Sequence, residues 1–336
     1  MAEDISPQVA EEFREIIGKV KHEIHKVIVG QEELVDLTLQ VIFCHNHALL
    51  MGVPGLAKTL LVTTISQVIG VKSTRIQFTP DLMPSDITGT EILQEDPDTG
   101  AKEFKFVPGP VFANIVLADE INRTPPKTQA ALLEAMQEKQ VSAGSKKYKL
   151  DLPFFVLATQ NPIEQEGTYS LPEAQLDRFM YLINVDYPEG DDEIEVLRRT
   201  TTNYQDEPDQ VLSGEQILKY QAIIRDVIVR DDLYDYVVRL VQATRVSKDY
   251  SLPYTKEWVA WGAGPRACQN LILGAKAYAF FNGRTHITTS DIKAVSKPVL
   301  RHRVIVNYAA ISEGITSDMV VERIVEAINE PKAAAG

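Results

Sequence analysis

Gly52-Val53-Pro54-Gly55-Leu56-Ala57-Lys58-Thr59-Leu60 is a glycine-rich turn leading into Lys-Thr and a helical pattern, directly after the apolar run Leu49-Leu50-Met51. Strand, turn and helix in that order make a phosphate cradle, because the turn N–H groups and the positive helix end converge on one anion. In such a cradle Lys58 reaches the terminal phosphates of a nucleoside triphosphate and the Thr59 hydroxyl faces Mg²⁺. The generic pattern places glycine before the lysine, and Ala57 stands there instead. A second apolar run, Ile115-Val116-Leu117-Ala118, stops abruptly at Asp119-Glu120. Two acids at the end of a buried strand are costly unless a cation compensates them. Asp119 is therefore expected to hold Mg²⁺ through water, and Glu120 to orient or deprotonate an attacking water.

A third run ends in Thr159-Gln160-Asn161-Pro162. Asn161 is placed to touch a γ-phosphate or the same water, although an Asn-Pro pair alone is only a turn signal. Arg178, in Leu176-Asp177-Arg178-Phe179, suits a guanidinium that neutralises transition-state charge, an effect of about 10³–10⁵ in rate where it operates. The plainer reading is an Arg–Asp surface pair. Pro265 fits a first helical position, which puts Arg266 in the first turn against the helix dipole. That is sensible for a group reaching out to phosphate, and otherwise it is a solvated arginine. His22-x-x-His25 and His45-x-His47 lack further ligands and are expected on solvated faces. His302, in Arg301-His302-Arg303, is expected at the surface, and Trp258 and Trp261 in packing near Arg266.

These groups need elements to carry them. Short apolar runs at residues 45–51, 73–79, 114–118, 154–159 and 181–186 alternate with helical patterns, which argues a parallel sheet covered on both faces. Residues 92–107 and 140–153 break that rhythm with turn signals between short β-like runs, as inserted hairpins do. Ahead of the sheet, Ser6-Pro7 caps a long amphipathic helix, and a second helix follows Val29-Gly30-Gln31. After Pro188-Glu189-Gly190 the pattern is helical to the end, so residues 1–188 and 189–336 are expected as two domains.

Composition restricts the partners. The 336 residues carry a net charge of -13 with 44% hydrophobic residues, ordinary for a globular chain with a real core. A non-specific nucleic-acid surface is not expected, because phosphate neutralisation needs clustered Lys and Arg. No run approaches the roughly 18 apolar residues of a membrane span. Two cysteines, Cys44 and Cys268, lie in different halves, and no disulfide framework is expected. A cytoplasmic protein is expected, the acidic N-terminus lacking a signal-peptide layout.

The segments Gly52–Thr59, Leu117-Ala118-Asp119-Glu120-Ile121-Asn122-Arg123, Ala158-Thr159-Gln160-Asn161-Pro162, Leu176-Asp177-Arg178-Phe179 and Gly264-Pro265-Arg266-Ala267 resemble, in order and over nearly the whole chain, the MoxR family of AAA+ ATPases. The resemblance implies an α/β fold: an AAA+ P-loop α/β/α core with a parallel five-stranded sheet and the hairpins of the helix-two-insert clade, plus a smaller all-α lid. It makes Lys58 and Thr59 Walker A, Asp119 and Glu120 Walker B, Asn161 sensor one, Arg178 an arginine finger acting on the neighbouring subunit, and Arg266 sensor two. Val29-Gly30-Gln31 resembles the adenine-side segment, and Ala57 is usual in this family. ATP and Mg²⁺ are the implied cofactors. A ring, usually a hexamer, is the implied assembly. The implied work is chaperone-like remodelling or maturation of partner complexes, with a von Willebrand factor A domain partner. One alternative is a magnesium-chelatase-like or DNA-remodelling motor, favoured weakly by Lys146, Lys147 and Lys149. The other is a nucleotide-switched scaffold with little turnover.

Overall fold

A strand of four or five residues, apolar at every position, has to be buried on both faces, and a parallel sheet is the arrangement that does this. The computed structural model describes residues 5–331 apart from 54, 96–101, 144–145, 164–166, 203–205 and 247–249. Its strands in chain order are β1 (Ala48–Met51), β2 (Ser73–Gln77), β3 (Gly89–Glu95), β4 (Lys102–Pro108), β5 (Ile115–Asp119), β6 (Gln140–Ala143), β7 (Lys146–Lys149), β8 (Phe155–Gln160) and β9 (Tyr181–Asn184). Five of them form one parallel sheet in the order β2-β5-β8-β1-β9. Adjacent residues of one strand feed opposite sides: Ala48 and Leu50 enter one apolar cluster, and Leu49 the other. That is the two-residue period of a pleated strand.

The order decides where chemistry can occur. β8 lies between β5 and β1, so the end of β5 at Asp119, the end of β8 at Gln160 and the turn after β1 share one rim. Register sets them level, with Met51 beside Gln160 and Gln77 beside Asp119. Ligands of such sheets bind outside the carboxyl ends of the strands.

The two hairpins are present as β3–β4 and β6–β7, each antiparallel. They are tied together by Phe106 and Tyr148, whose rings stack with centroids 3.9 Å apart. The turn residues Asp96 to Gly100, and Gly144 with Ser145, lie outside the described residues.

Around the sheet pack the helices Pro7–His25, Glu32–Phe43, Lys58–Val68 and Pro126–Glu138; the later helices include Gly190–Thr200, Gly214–Asp226, Asp231–Ala243, Pro265–Phe281, Thr289–Leu300 and Ser317–Ala327. Phe13 of the first helix sits 4.6–5.4 Å, centroid to centroid, from Phe43, Tyr220, Phe280 and Phe281. One apolar cluster thus runs from the N-terminal helix through a sheet face into the C-terminal helices. Gly274 is where the helix Pro265–Phe281 meets β9, since a Cβ there would stand 2.4 Å from the Tyr181 hydroxyl.

Several expectations are corrected. The first strand begins at Ala48, because His45 takes a left-handed φ of 55° that no strand accommodates. Short helices at Pro84–Thr88, Glu173–Leu176, Pro253–Trp258 and Tyr308–Ser312 are additional, as is the pairing of Val259–Trp261 with Ile305–Val306. Elements of two to six residues are too short for periodicity to reveal. Trp261 is 68% exposed rather than packed, whereas Trp258 lies under the Arg323 guanidinium at 4.5 Å.

His47 and His302 are buried, not solvated. His47 Nδ1 accepts from the Val156 N–H at 2.9 Å, and His302 Nε2 donates to the Phe179 carbonyl at 3.1 Å. Beside it the buried Arg303 donates to Asp177 Oδ1 (2.7 Å) and to the carbonyls of Phe179 (2.7 Å) and Met180 (3.1 Å). What reads as a basic surface run is therefore a seam between the helical C-terminal part and the strand β9. Burial pushes both histidines well below their ordinary range, and it pushes His45 to about 4. All three are neutral in the fold, while in the unfolded chain they charge near pH 6.5. Their stabilisation is complete above that value and is lost as pH falls below it, by about 1.4 kcal/mol each at pH 5.5. Urea midpoints at pH 7.5 and 5.5 should accordingly differ, the acidic one lower. A midpoint unchanged across that interval would refute the neutral buried histidines.

Candidate active site

The turn after β1 owes its shape to close approach and to left-handed backbone. Gly52 packs against the residue following β9: a Cβ there would meet the Val185 carbonyl oxygen at 2.6 Å. Ala57 takes φ 52°, which explains why glycine is the generic residue at this position. An L-residue holds that conformation at a cost of about 1–2 kcal/mol. The helix Lys58–Val68 begins immediately afterwards with no side-chain cap. Its first-turn N–H groups stay open to an external anion.

Gly52, Gly55, Leu56, Ala57, Lys58, Thr59, Leu60, Asp119, Glu120 and Asn161 line one cavity of about 420 Å³, together with Thr159 and Arg75. Four stretches far apart in sequence are thus brought to one place by strand order. Val53 does not line the cavity, and Pro54 lies outside the described residues. Lys58 Nζ donates to the Gly52 carbonyl at 2.6 Å. Partial burial pulls its amine down, and the Asp119 and Glu120 charges work in the opposite sense.

The acidic pair is held on all sides. Thr159 Oγ1 donates to Asp119 Oδ1 at 2.7 Å and accepts from the Glu120 N–H at 2.9 Å. Arg75 grips the other oxygen, Asp119 Oδ2, with Nη2 at 2.6 Å and Nε at 3.1 Å, and also donates to Gln77 Oε1. Gln77 Nε2 in turn donates to Glu120 Oε2 at 2.8 Å, which Arg123 approaches to 3.2 Å. Glu120 itself has φ 57°, strained for a non-glycine residue and typical of functional positions. Sequence reasoning passed over Arg75 and Gln77. The available signal was an arginine and a glutamine two apart, hence on one face of the strand Ser73–Gln77.

Asn161 is buried, and its Oδ1 accepts from the Ile163 N–H at 3.1 Å, leaving the amide nitrogen for a ligand. As for a metal, the cavity offers hard oxygen donors, the Thr59 hydroxyl and the Asp119 carboxylate. Among the described residues no group of three His, Cys, Asp or Glu side chains forms a metal cage. Few protein ligands beside phosphate oxygens and water is the donor set that suits Mg²⁺.

Next to the phosphate cavity, and sharing Gly55, Leu56, Ala57 and Leu60 with it, lies a more apolar cavity of about 600 Å³. Val29 and Gln31 line it with Leu34, Leu61, Tyr187 and Leu197. Gln31 Nε2 donates to the Asp186 carbonyl at 2.8 Å, which fastens this loop to the end of β9. Gly30 turns the chain at φ 60° without lining the cavity. A polar compartment continuous with an apolar one fits a nucleotide, phosphates in the first and base in the second.

Arg178 and Arg266 are elsewhere. Both line a separate cavity of about 240 Å³ with His45, His47, Lys139, Asp177 and Asn270. Arg266 lies 3.6 Å from Asp177, and among the described residues the Arg178 guanidinium has no ion-pair partner. Neither arginine lines the phosphate cavity of its own chain.

A five-stranded parallel sheet with a P-loop, an acidic pair and a polar strand end on one rim, followed by a helical C-terminal part, defines a P-loop ATPase of the AAA class. The sequence model for the "ATPase family associated with various cellular activities" matches residues 47–181, and the AAA lid domain model matches residues 254–324. Chaperone MoxR1 of Mycobacterium tuberculosis is 44% identical over 313 residues, 93% of this chain and 82% of that protein. Protein MoxR of Paracoccus denitrificans is 29% identical, covering 85% of this chain and 87% of its own length. A crystal structure of a candidate ATPase from Cytophaga hutchinsonii superposes with a TM-score of 0.89 at 45% identity, over 97% of this chain and 98% of the other. The chain belongs to the MoxR family of AAA+ ATPases. It is an ATP-hydrolysing enzyme with a nucleotide-binding core. The magnesium-chelatase-like or DNA-remodelling alternative is not favoured, since named relatives that cover most of the chain are MoxR proteins.

Proposed function

We propose that this ATPase spends ATP on chaperone-like remodelling of partner proteins, with one catalytic site shared between adjoining copies of the chain. The observation that carries the reading is the division of the charged groups. Lys58, Thr59, Asp119, Glu120 and Asn161 line one cavity, while Arg178 and Arg266 line another. A ring, taken here as a hexamer, would seat the second cavity of each copy against the triphosphate of the next.

In that arrangement Val29 and Gln31 border the adenine, and the turn from Gly52 to Leu60 wraps the phosphates. Lys58 leaves the Gly52 carbonyl for the terminal phosphates. Mg²⁺, held by Thr59 and Asp119, offsets phosphate charge when bound. Glu120 takes the proton of the water that attacks the γ-phosphorus, and Asn161 orients that water. The bond to the β,γ-bridging oxygen breaks, and charge building on ADP is met by Lys58 and the neighbour's Arg178. Phosphate loss releases contacts between copies, and between a core of residues 1–188 and a lid of residues 189–336, so chemistry becomes motion. No described helix is long and apolar enough to cross a membrane, and both cysteines are free, in keeping with work in the cytoplasm. A client-side partner with a von Willebrand factor A domain follows from the family resemblance.

The chaperone role is tested by affinity capture with two variants in ATP. Glu120→Gln, able to bind ATP but not to cleave it, should retain a defined set of proteins that Lys58→Ala, unable to bind, releases. Identical captured sets would remove ATP-gated client binding.

A further inference from the structure

The cavity that holds Arg178 and Arg266 contains a third basic nitrogen, that of Lys139, whose protonation the surroundings control. Lys139 follows the helix Pro126–Glu138, at a left-handed φ of 53° that turns the chain back into β6. Its side chain is half-buried, with Nζ 5.5 Å from the centre of the Phe154 ring and 2.9 Å from His47 Nε2.

The hydrogen bonds of His47 leave little freedom. Nδ1 accepts from the Val156 N–H, so that nitrogen carries no proton. The proton is then on Nε2, which faces the Met136 carbonyl at 3.1 Å as well as Lys139 Nζ. An ammonium has donors only and cannot accept from Nε2–H, whereas a neutral amine can. The single Nε2 proton already faces the Met136 carbonyl, so the amine form of Lys139 is tolerated here and the ammonium form gains nothing from His47. Its amine is also pulled down to about 8 by burial. The groups facing it are the neutral His45 and His47 ahead of β1, Asp177 and Arg178 ahead of β9, and Arg266 on the helix Pro265–Phe281. The Arg225 charge acts on His45, and Glu138 is exposed. With two arginines against one carboxylate the cavity is already positive, which disfavours a third charge until an anion enters.

We infer that Lys139 is a third cation of the shared site, joining Arg178 and Arg266 around the terminal phosphates of the nucleotide held by an adjoining copy. This inference rests on the shared-site reading above. An entering phosphate reverses the local balance, since an opposite charge within about 4–6 Å favours the ammonium. Shared-site hydrolysis then weakens as pH rises through about 8, where the free amine loses its proton.

The test is complementation by mixed subunits, read as phosphate release with nucleotide affinity measured alongside. Lys139→Gln alone should lose about tenfold in turnover with its own ATP affinity unchanged, less than an arginine because the lysine is partly neutral. Mixing it with Lys58→Ala, which brings an intact Lys139 beside an intact pocket, should restore turnover. Mixing Lys139→Gln with Arg178→Ala should restore nothing, because both lesions sit on the donating face and no site is whole. Rescue in that last mixture, or wild-type turnover of Lys139→Gln alone, overturns the assignment. Lys139→Arg keeps the charge at every pH, so it should hold its turnover between pH 7 and 9 where the wild type declines. Parallel declines of the two proteins would equally overturn it. Failure of Arg178→Ala to be rescued by Lys58→Ala is a different outcome, and it sinks the shared-site reading itself.

Discussion

Glu120→Gln should leave ATP bound at its normal affinity while turnover falls by about 10²–10⁴-fold, the usual contribution of a positioned general base. The amide is isosteric with the carboxylate and can still accept from Gln77 Nε2, which now holds Glu120 Oε2 at 2.8 Å. Its backbone need not change either, since the strained φ of 57° is set by the chain around it, including the Glu120 N–H to Thr159 Oγ1 bond. What the substitution removes is the negative charge, and with it the basicity that takes a proton from water. Phosphate release and the affinity of a fluorescent ATP analogue, measured on the same preparation, separate the two effects. Equal turnover in variant and wild type would take Glu120 out of the chemistry and favour a base elsewhere.

The second large effect concerns Arg178. In a lone subunit it faces the cavity shared with Lys139 and Arg266, away from Lys58 and Glu120. Its removal should cost about 10³–10⁵ in turnover, as loss of an arginine finger does. Affinity for ATP in the subunit's own pocket should hold. Mixed with Lys58→Ala, whose pocket is disabled but whose Arg178 is intact, Arg178→Ala should recover a substantial fraction of wild-type turnover. Titrating one variant into the other and following phosphate release checks this, because recovery must pass through a maximum at intermediate ratios. A flat titration would mean that Arg178 acts within its own chain or only through structure.

Much of the candidate site is legible in the sequence because its residues are local. A phosphate cradle is one continuous stretch from Gly52 to Leu60, and its lysine, hydroxyl and helix start are neighbours along the chain. Asp119-Glu120 stands out for an equally local reason, being two charges placed where an apolar strand ends. The inner strands were legible as well, since β1, β5 and β8 are short runs whose burial on both faces demands apolar residues. Their ends were less so. β1 starts three residues late because of the left-handed His45, and no side-chain pattern reports a φ.

Arg75, Gln77 and Lys139 were missed for a common cause. Each acts on a group 40 or more residues away, Arg75 on Asp119, Gln77 on Glu120 and Lys139 on His47. Their types alone describe ordinary surface residues. His302 and Arg303 misled in the opposite direction, because a basic run reads as solvated until the fold lays it against the carbonyls of Phe179 and Met180.

The amino-acid order by itself marks a glycine-rich turn running into Lys58-Thr59 and an acidic pair on a buried parallel sheet, since those features follow from contiguous residues and local periodicity. Only the tertiary structure decides that Arg178 and Arg266 stand apart from that cradle, with Lys139 and two neutral histidines beside them. Strand order and the docking of the C-terminal helices on β9 place those groups, and both depend on contacts between distant segments that no local pattern encodes.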